Sequence, residues 1–186
     1  MRNNLLLLGC CLVLGLLCSC KEDPQPKPRA LLRLEYPRPA YRLMDAPCPF
    51  EFEYNQMAVA GLREGCDMVL DYRPMNGSVY LTYKPVEGNL RELLSDAQKL
   101  SYQHVVKADN IVEQPYVNEQ ERVYGMFYEV RGDAASQSQF YVTDSTRHFV
   151  TGSVYFYAKP NYDSILPAAS YLQQDIRRIM ETIRWK

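Results

Sequence analysis

The sequence predicts an α+β fold of the α/β type, an antiparallel sheet of about seven strands covered by two helices. Three observations carry this expectation. Apolar residues recur at every second position in seven short stretches. Two longer stretches carry them at the three-and-four spacing of a helix. Turn-forming residues separate neighbouring strands, which keeps the connections short and the pairing antiparallel.

The strands are expected at Phe50–Tyr54, Met68–Tyr72, Ser78–Tyr83, Val112–Tyr116, Val123–Arg131, Gln137–Thr143 and Phe149–Tyr157. In Ser78–Tyr83, Val79, Leu81 and Tyr83 fall on one face and Ser78, Tyr80 and Thr82 on the other. Asn76-Gly77 before this strand signals a tight turn, making it a hairpin with its predecessor. Gly132-Asp133 and Asp144-Ser145 break the later strands. For the first helix, Asn89 with Glu92 three residues on forms a capping-box pattern. Leu90, Leu93, Leu94, Ala97, Leu100, His104 and Val105 follow as one stripe. For the second, Ser164 is the expected cap and Pro167 sits early, where its missing N–H costs little. Ile165, Ala169, Leu172, Ile176, Ile179, Met180 and Ile183 line its buried face, with Arg177, Arg178 and Arg184 toward the end that favours cations. Both stripes read as core rather than as partner-recognition faces. The order of three strands, helix, four strands, helix resembles a PsbP/Mog1-like α/β/α sandwich, on element order alone. Seven short strands and two amphipathic helices do not make a closed, even-stranded membrane barrel.

The 186 residues carry 21 Lys plus Arg against 22 Asp plus Glu, a balance that offers no basic field for a phosphate backbone. No nucleic-acid partner is expected. With 47% hydrophobic residues and 15 tyrosines the chain has ample material for a core. Its amino terminus, MRNNLLLLGCCLVLGLLCSC, places Arg2 before an apolar run from Leu5 to Leu17. The run is short for a permanent span of a roughly 30 Å hydrocarbon core and fits a secretory signal; a buried or membrane amino-terminal helix is the alternative. Leu17-Cys18-Ser19-Cys20 resembles a bacterial lipobox, with Cys18 a tolerated departure at its second position. By resemblance to bacterial lipoproteins, Cys20 is the lipidation site, cleaved and acylated to anchor the chain in a lipid bilayer.

Removing residues 1–19 as a signal peptide leaves 22 acidic side chains against 20 basic ones. Cys48 and Cys66 are then the cysteines beside the anchor. An exported compartment permits a disulfide, with about 3 kcal/mol of loop-closure stabilisation on the chain-entropy model. Two buried thiols are the alternative, and the disulfide is favoured. A cysteine-pair metal site lacks further ligands nearby, and neither metal nor cofactor is expected. Residues 20–49 form a lipid-anchored, proline-rich tether and wrapping segment, with seven of the twelve prolines between Pro24 and Pro49. Residues 50–186 form a single α/β domain.

Chemistry is sparse. Of the two histidines, His104 lies on an apolar stripe and reads as core. His148 closes the run Thr143-Asp144-Ser145-Thr146-Arg147-His148, where a turn fixed by the Asp144 and Ser145 side chains explains the residues better than a triad. Glu113, Glu119, Glu121, Glu129 and Asp133 are carboxylates without a visible partner across a cleft. No catalytic, cofactor-binding or metal residue is assigned. Ser145 and Ser164 each lie in a short pattern resembling an O-glycosylation signal of exported proteins; only Ser145 suits an exposed turn.

Longer segments carry a resemblance across nearly the whole mature chain. They are CKEDPQPKPR, Pro47-Cys48-Pro49-Phe50 leading into FEY, LTYKPVEGNLRELLSDAQKLSYQHVVKAD, VYGMFYEVRGDAASQSQFYVTDSTRHFVTGSVYF, PNYDSILPAA and METIRWK. In these the chain resembles the gliding motility-associated lipoprotein D family of the Bacteroidetes. The resemblance implies a non-enzymatic accessory lipoprotein of the gliding machinery, linked to type IX protein secretion and partnered by other envelope proteins. It also implies a Cys48–Cys66 disulfide and an envelope location, outer membrane favoured, with the domain periplasmic or surface-exposed. The charged Lys21-Glu22-Asp23 after the anchor resembles an export signal of such lipoproteins. The competing readings are an envelope module binding a glycan, lipid or peptide, and an envelope hydrolase. The first requires a cleft between sheet and helix; the second requires His148 or a carboxylate pair to meet a nucleophile.

Overall fold

Alternation of apolar and polar residues becomes a seven-stranded antiparallel sheet in the computed structural model, which describes residues 35–102, 108–132, 134–157 and 162–186. All of them lie in the unit Leu31–Lys186. In chain order the elements are β1 (Tyr41–Leu43), β2 (Phe50–Glu51), β3 (Glu53–Asn55), β4 (Val59–Leu62), β5 (Met68–Tyr72), β6 (Gly77–Pro85) and helix α1 (Leu90–Tyr102). There follow β7 (Ala108–Asn118), β8 (Val123–Gly132), β9 (Ser138–Thr143), β10 (His148–Phe156), helix α2 (Tyr162–Thr182) and β11 (Arg184–Trp185). The sheet order is β4-β5-β6-β10-β9-β8-β7. The chain builds one half as a meander, crosses through α1 to the far edge, and returns strand by strand to close against β6.

Adjacent residues of β10 show how the layers form. Val150 and Val154 join the main core with Leu81, Val142 and Phe127, against Leu172, Ile176, Ile179 and Met180 of α2. Phe149, pointing the other way, packs with Leu93 and Ala97 of α1. The two helices therefore lie on opposite faces, giving a mixed α+β sandwich of three layers. Each fully buried aliphatic side chain of the α2 stripe contributes about 1.5–3 kcal/mol.

The first predicted strand is corrected. Phe50–Tyr54 is not a strand of the sheet: it splits at Phe52 into β2, which pairs with β11, and β3, which pairs with β1. Phe50, Phe52 and Tyr54 are all core residues, so their alternation is real, but it serves a local ribbon beneath α2. The seventh strand of the sheet is β4, whose Val-Ala-Gly-Leu has no alternation and is exposed throughout.

Several local expectations also shift. A 3₁₀ turn, Arg73–Met75, lengthens the β5–β6 hairpin, and Asn76 takes the left-handed conformation at φ 49°. Asn89 opens α1 through its carbonyl, which accepts the Leu93 N–H at 3.1 Å. Its side-chain oxygen turns back to the Glu87 N–H at 2.9 Å rather than forming a capping box with Glu92. Helix α2 begins at Tyr162, so Ser164 lies inside its first turn and Pro167 within the helix. Arg178 leaves the helix end to bind the Glu53 carboxylate through Nε at 3.0 Å and Nη2 at 2.6 Å.

Residues before Phe50 belong to the folded body. Ala46 and Cys48 are buried in the main core, and Tyr36 packs against it. At the other end the Lys186 N–H donates to Pro49 O at 2.9 Å, extending the β2–β11 pairing.

Candidate functional site

Three of the residues singled out from the sequence, Cys20, His104 and Asp133, lie outside the described residues. Cys48 and Cys66 are joined by a disulfide with Cα atoms 5.7 Å apart, fastening the segment before β2 to the connection between β4 and β5. The alternative of two buried thiols is thereby removed.

His148 begins β10 and is buried. Its Nδ1 lies 3.0 Å from the Tyr83 hydroxyl, and its ring stacks on Trp185 at 5.2 Å between centroids. Nε2 is buried with no hydrogen-bond partner among the described residues. Burial holds the imidazole below the ordinary histidine range, favouring the neutral ring, against the opposing pull of Asp144. Asp144 does not orient that ring. Its Oδ1 accepts the backbone N–H groups of Thr146, Arg147 and His148 at 3.0, 2.8 and 2.8 Å. Burial alone would raise its pKa, but these amides and the Thr146 hydroxyl outweigh it and hold the carboxyl well below the usual range. The turn is therefore closed as expected by Asp144, yet its second side chain is Thr143. The Thr143 hydroxyl donates to His148 O and accepts the Ser145 N–H, while Ser145 adopts φ 67°.

The carboxylates do not converge. Glu113 accepts a hydrogen bond from the Tyr102 hydroxyl at the end of α1. Glu129 pairs with Arg131 at 3.0 Å, and Glu121 lies 3.6 Å from Arg184. Glu129 stands opposite Val112, so the neighbouring Glu113 faces the other side of the sheet.

One polar cluster escaped the sequence reading. Asp175, 1% exposed, sits inside the α2 core stripe. Its Oδ1 accepts the Tyr41 hydroxyl at 2.7 Å and its Oδ2 the Asn55 amide at 2.8 Å. The same amide donates to the Tyr171 hydroxyl at 2.9 Å, and that hydroxyl donates to Pro37 O at 3.0 Å. The Tyr72 hydroxyl is buried close enough to feel the carboxylate yet has no partner in hydrogen-bond geometry. Burial raises the Asp175 pKa, and the donors from Tyr41 and Asn55 partly counter it. A carboxylate three residues after Leu172, on the buried face, was the available signal; its partners stand 134 and 120 residues away in the chain.

Between α1 and the sheet lies a cleft of about 220 Å³. Leu93, Ala97, Leu100 and Phe149 make its apolar walls, Thr82 and Thr151 its floor, and Lys84 and Asp96 its charged rim. Asp96 is 3.7 Å from Lys99. Among the described residues no tyrosine lines it, contrary to the arrangement a tyrosine-rich binding cleft requires.

A disulfide-bonded α+β domain, with its amino-terminal segment fastened into the core, belongs to the class of proteins that fold in oxidising compartments. Residues 21–185 match the family model for the gliding motility lipoprotein GldD, and the chain belongs to that family. No curated protein matches the chain. Among the described residues no helix is long and apolar enough to cross a membrane.

Proposed function

We propose that the protein is a lipid-anchored, non-catalytic component of the gliding machinery, coupled to type IX protein secretion. The observation that carries this reading is the family match, which starts at residue 21, directly after the lipobox cysteine. Acyl chains on Cys20 would hold the domain at an envelope membrane, the outer membrane favoured, within reach of envelope protein partners. A role without catalysis is supported by how the reactive side chains are used. Asp144 is occupied by backbone amides, His148 by Tyr83 and Trp185, and Glu113 and Glu129 face opposite sides of the sheet.

The test is a gene deletion complemented by the wild-type chain or by Cys20→Ser. The deletion and Cys20→Ser are expected to reduce colony spreading and export of type IX substrates, and Cys20→Ser to leave the membrane fraction. Normal spreading and normal export in the deletion strain would overturn the proposal.

The cleft beside α1 favours a second reading, an envelope module that binds a small lipid or peptide group. Leu100→Trp, placed to fill the cleft, separates the two. Unchanged motility supports the first reading; lost motility with an intact fold supports the second.

A further inference from the structure

The cleft beside α1 holds more than apolar walls. Strands β6 and β10 set their side chains there in facing pairs, Lys84 opposite Phe149 and Thr82 opposite Thr151. The two pairs lie about 7 Å apart along the strands. Leu93, Ala97 and Phe149 form the buried cluster under the helix, and Leu100, 37% exposed, completes the wall on the α1 side.

Three polar groups of the cleft have no use inside the described fold. Thr82 and Thr151 stand directly opposite each other on one face of the sheet, a placement in which threonine hydroxyls can bond each other. Neither hydroxyl does so, and neither bonds any other described residue. The remaining described threonines, Thr143, Thr146 and Thr182, all engage theirs. Lys84 has no carboxylate within ion-pair distance among the described residues. Asp96, the other charge on the rim, is already 3.7 Å from Lys99. The free polarity is therefore two hydroxyl donors and one cation, set beside an aliphatic and aromatic wall.

That combination selects a ligand class. A neutral hydrocarbon leaves all three groups unused, and an organic cation meets the Lys84 ammonium. A carboxylate uses them together: the hydroxyls donate to its oxygens, and the ammonium reaches it from the rim. Size limits the rest of the molecule. In another protein an apolar cavity of about 150 Å³ binds benzene, so about 220 Å³ takes roughly nine heavy atoms. We infer, building on the reading of this cleft as a binding site, that it takes a medium-chain aliphatic carboxylate of about eight carbons. The acid group sits at Thr82, Thr151 and Lys84, and the tail lies against Leu93, Leu100 and Phe149. A longer acyl chain extends past the walls into water and gains nothing from its extra length.

The test is a titration of the purified chain with straight-chain carboxylates at millimolar concentration, read by amide NMR shifts. Octanoate is expected to shift Thr82, Ala97 and Thr151 saturably. Affinity is expected to rise by up to about fourfold per methylene from butanoate to octanoate and to level off in longer acids. Octanol and octylammonium are expected to bind more weakly than octanoate. Lys84→Met and the double variant Thr82→Val/Thr151→Val are each expected to weaken octanoate by roughly two- to tenfold. Both are expected to leave octanol binding unchanged, which separates a lost acid contact from a disturbed fold. Octanoate without shifts at the cleft overturns the inference, as does an equal weakening of octanoate and octanol in these variants. Octanol binding as tightly as octanoate overturns the carboxylate while leaving the cleft a binding site. The parent reading is decided separately, by motility in Leu100→Trp.

Discussion

Tyr41→Phe removes one oxygen and exposes the energetics of the buried carboxylate on α2. The Tyr41 hydroxyl is one of two donors to Asp175, at 2.7 Å, and the other is the Asn55 amide at 2.8 Å. Losing a hydrogen bond to a buried charged group costs about 1.5–3 kcal/mol, and the phenylalanine ring keeps the packing. The pH dependence identifies the cause. Burial raises the Asp175 pKa above its unfolded value of about 3.9, and the Tyr41 bond limits that rise. Below pH of about 4 both folded and unfolded chains hold the proton, and the carboxyl contributes no pH dependence. As pH rises the unfolded chain ionises first, so stability falls until the folded group ionises as well. Without Tyr41 the folded pKa moves higher and the fall continues further. The difference between variant and wild type is therefore expected to be small near pH 3.5 and to grow to its full size at neutral pH. Urea unfolding of both proteins across this range, with the disulfide intact, measures it. A difference that stays constant with pH, or shrinks as pH rises, would refute the reasoning.

Asp144→Ala is expected to cost about 1.5–3 kcal/mol at neutral pH, since several amides lose a charged acceptor. The wild-type pKa is depressed, so this contribution is present above the unfolded value and is lost progressively as pH falls toward the folded one; the difference between variant and wild type is expected to be smaller at pH 3 than at pH 7, as read by chemical unfolding. Gly125→Ala places a Cβ 2.0 Å from the backbone oxygen of Tyr141 across the β8–β9 pair. The expected loss is about 1–3 kcal/mol, read as a lower Tm. Replacing Cys48 and Cys66 together by serine is expected to cost about 2–4 kcal/mol, measured by chemical unfolding against the oxidised wild type.

What the sequence revealed and what it hid follow one physical division. Periodicity reports which side of an element is buried, so the α2 stripe through Leu172, Ile176 and Ile179 was legible, as were the inward residues of β5, β6 and β10. Periodicity does not report the partner. Phe50, Phe52 and Tyr54 alternate because all three enter the core, yet their strands pair with β11 and β1. β4 was invisible for the opposite reason: an exposed edge strand has no buried face to write a pattern. In the site regions, Asp144 was legible as a turn residue because its partners are two to four positions away. Asp175 could be recognised as an acid on a buried stripe, but Tyr41 and Asn55 reach it only through the fold. The cleft beside α1 depends on how much of β6 and β10 that helix leaves uncovered, a tertiary quantity with no local signature.

The same long-range contacts fasten the segment before β2 to the rest of the domain. Entering from that side, the described chain is fastened at successive points before the main sheet begins. Tyr36 packs on Tyr171 at 5.4 Å, Pro37 accepts the Tyr171 hydroxyl, and Tyr41 binds Asp175. Strand β1 pairs with β3, the Lys186 side chain donates to Ala46 O at 3.1 Å, and Cys48 is bridged to Cys66. Three of these contacts end on α2 and one on the carboxyl terminus. A pull on the segment before β1 thus reaches α2 and the core it covers, and through Cys48–Cys66 it reaches the connection between β4 and β5. If Cys20 carries the anchor, Tyr41 and Asp175 lie on the path between membrane and domain. Weakening that path by Tyr41→Phe is then expected to show first in the segment before β2. The variant is expected to lower the resistance of that segment to proteolysis before the main sheet is affected. Proteolysis of that segment at the wild-type rate would show that the Tyr41–Asp175 bond is no part of the fastening.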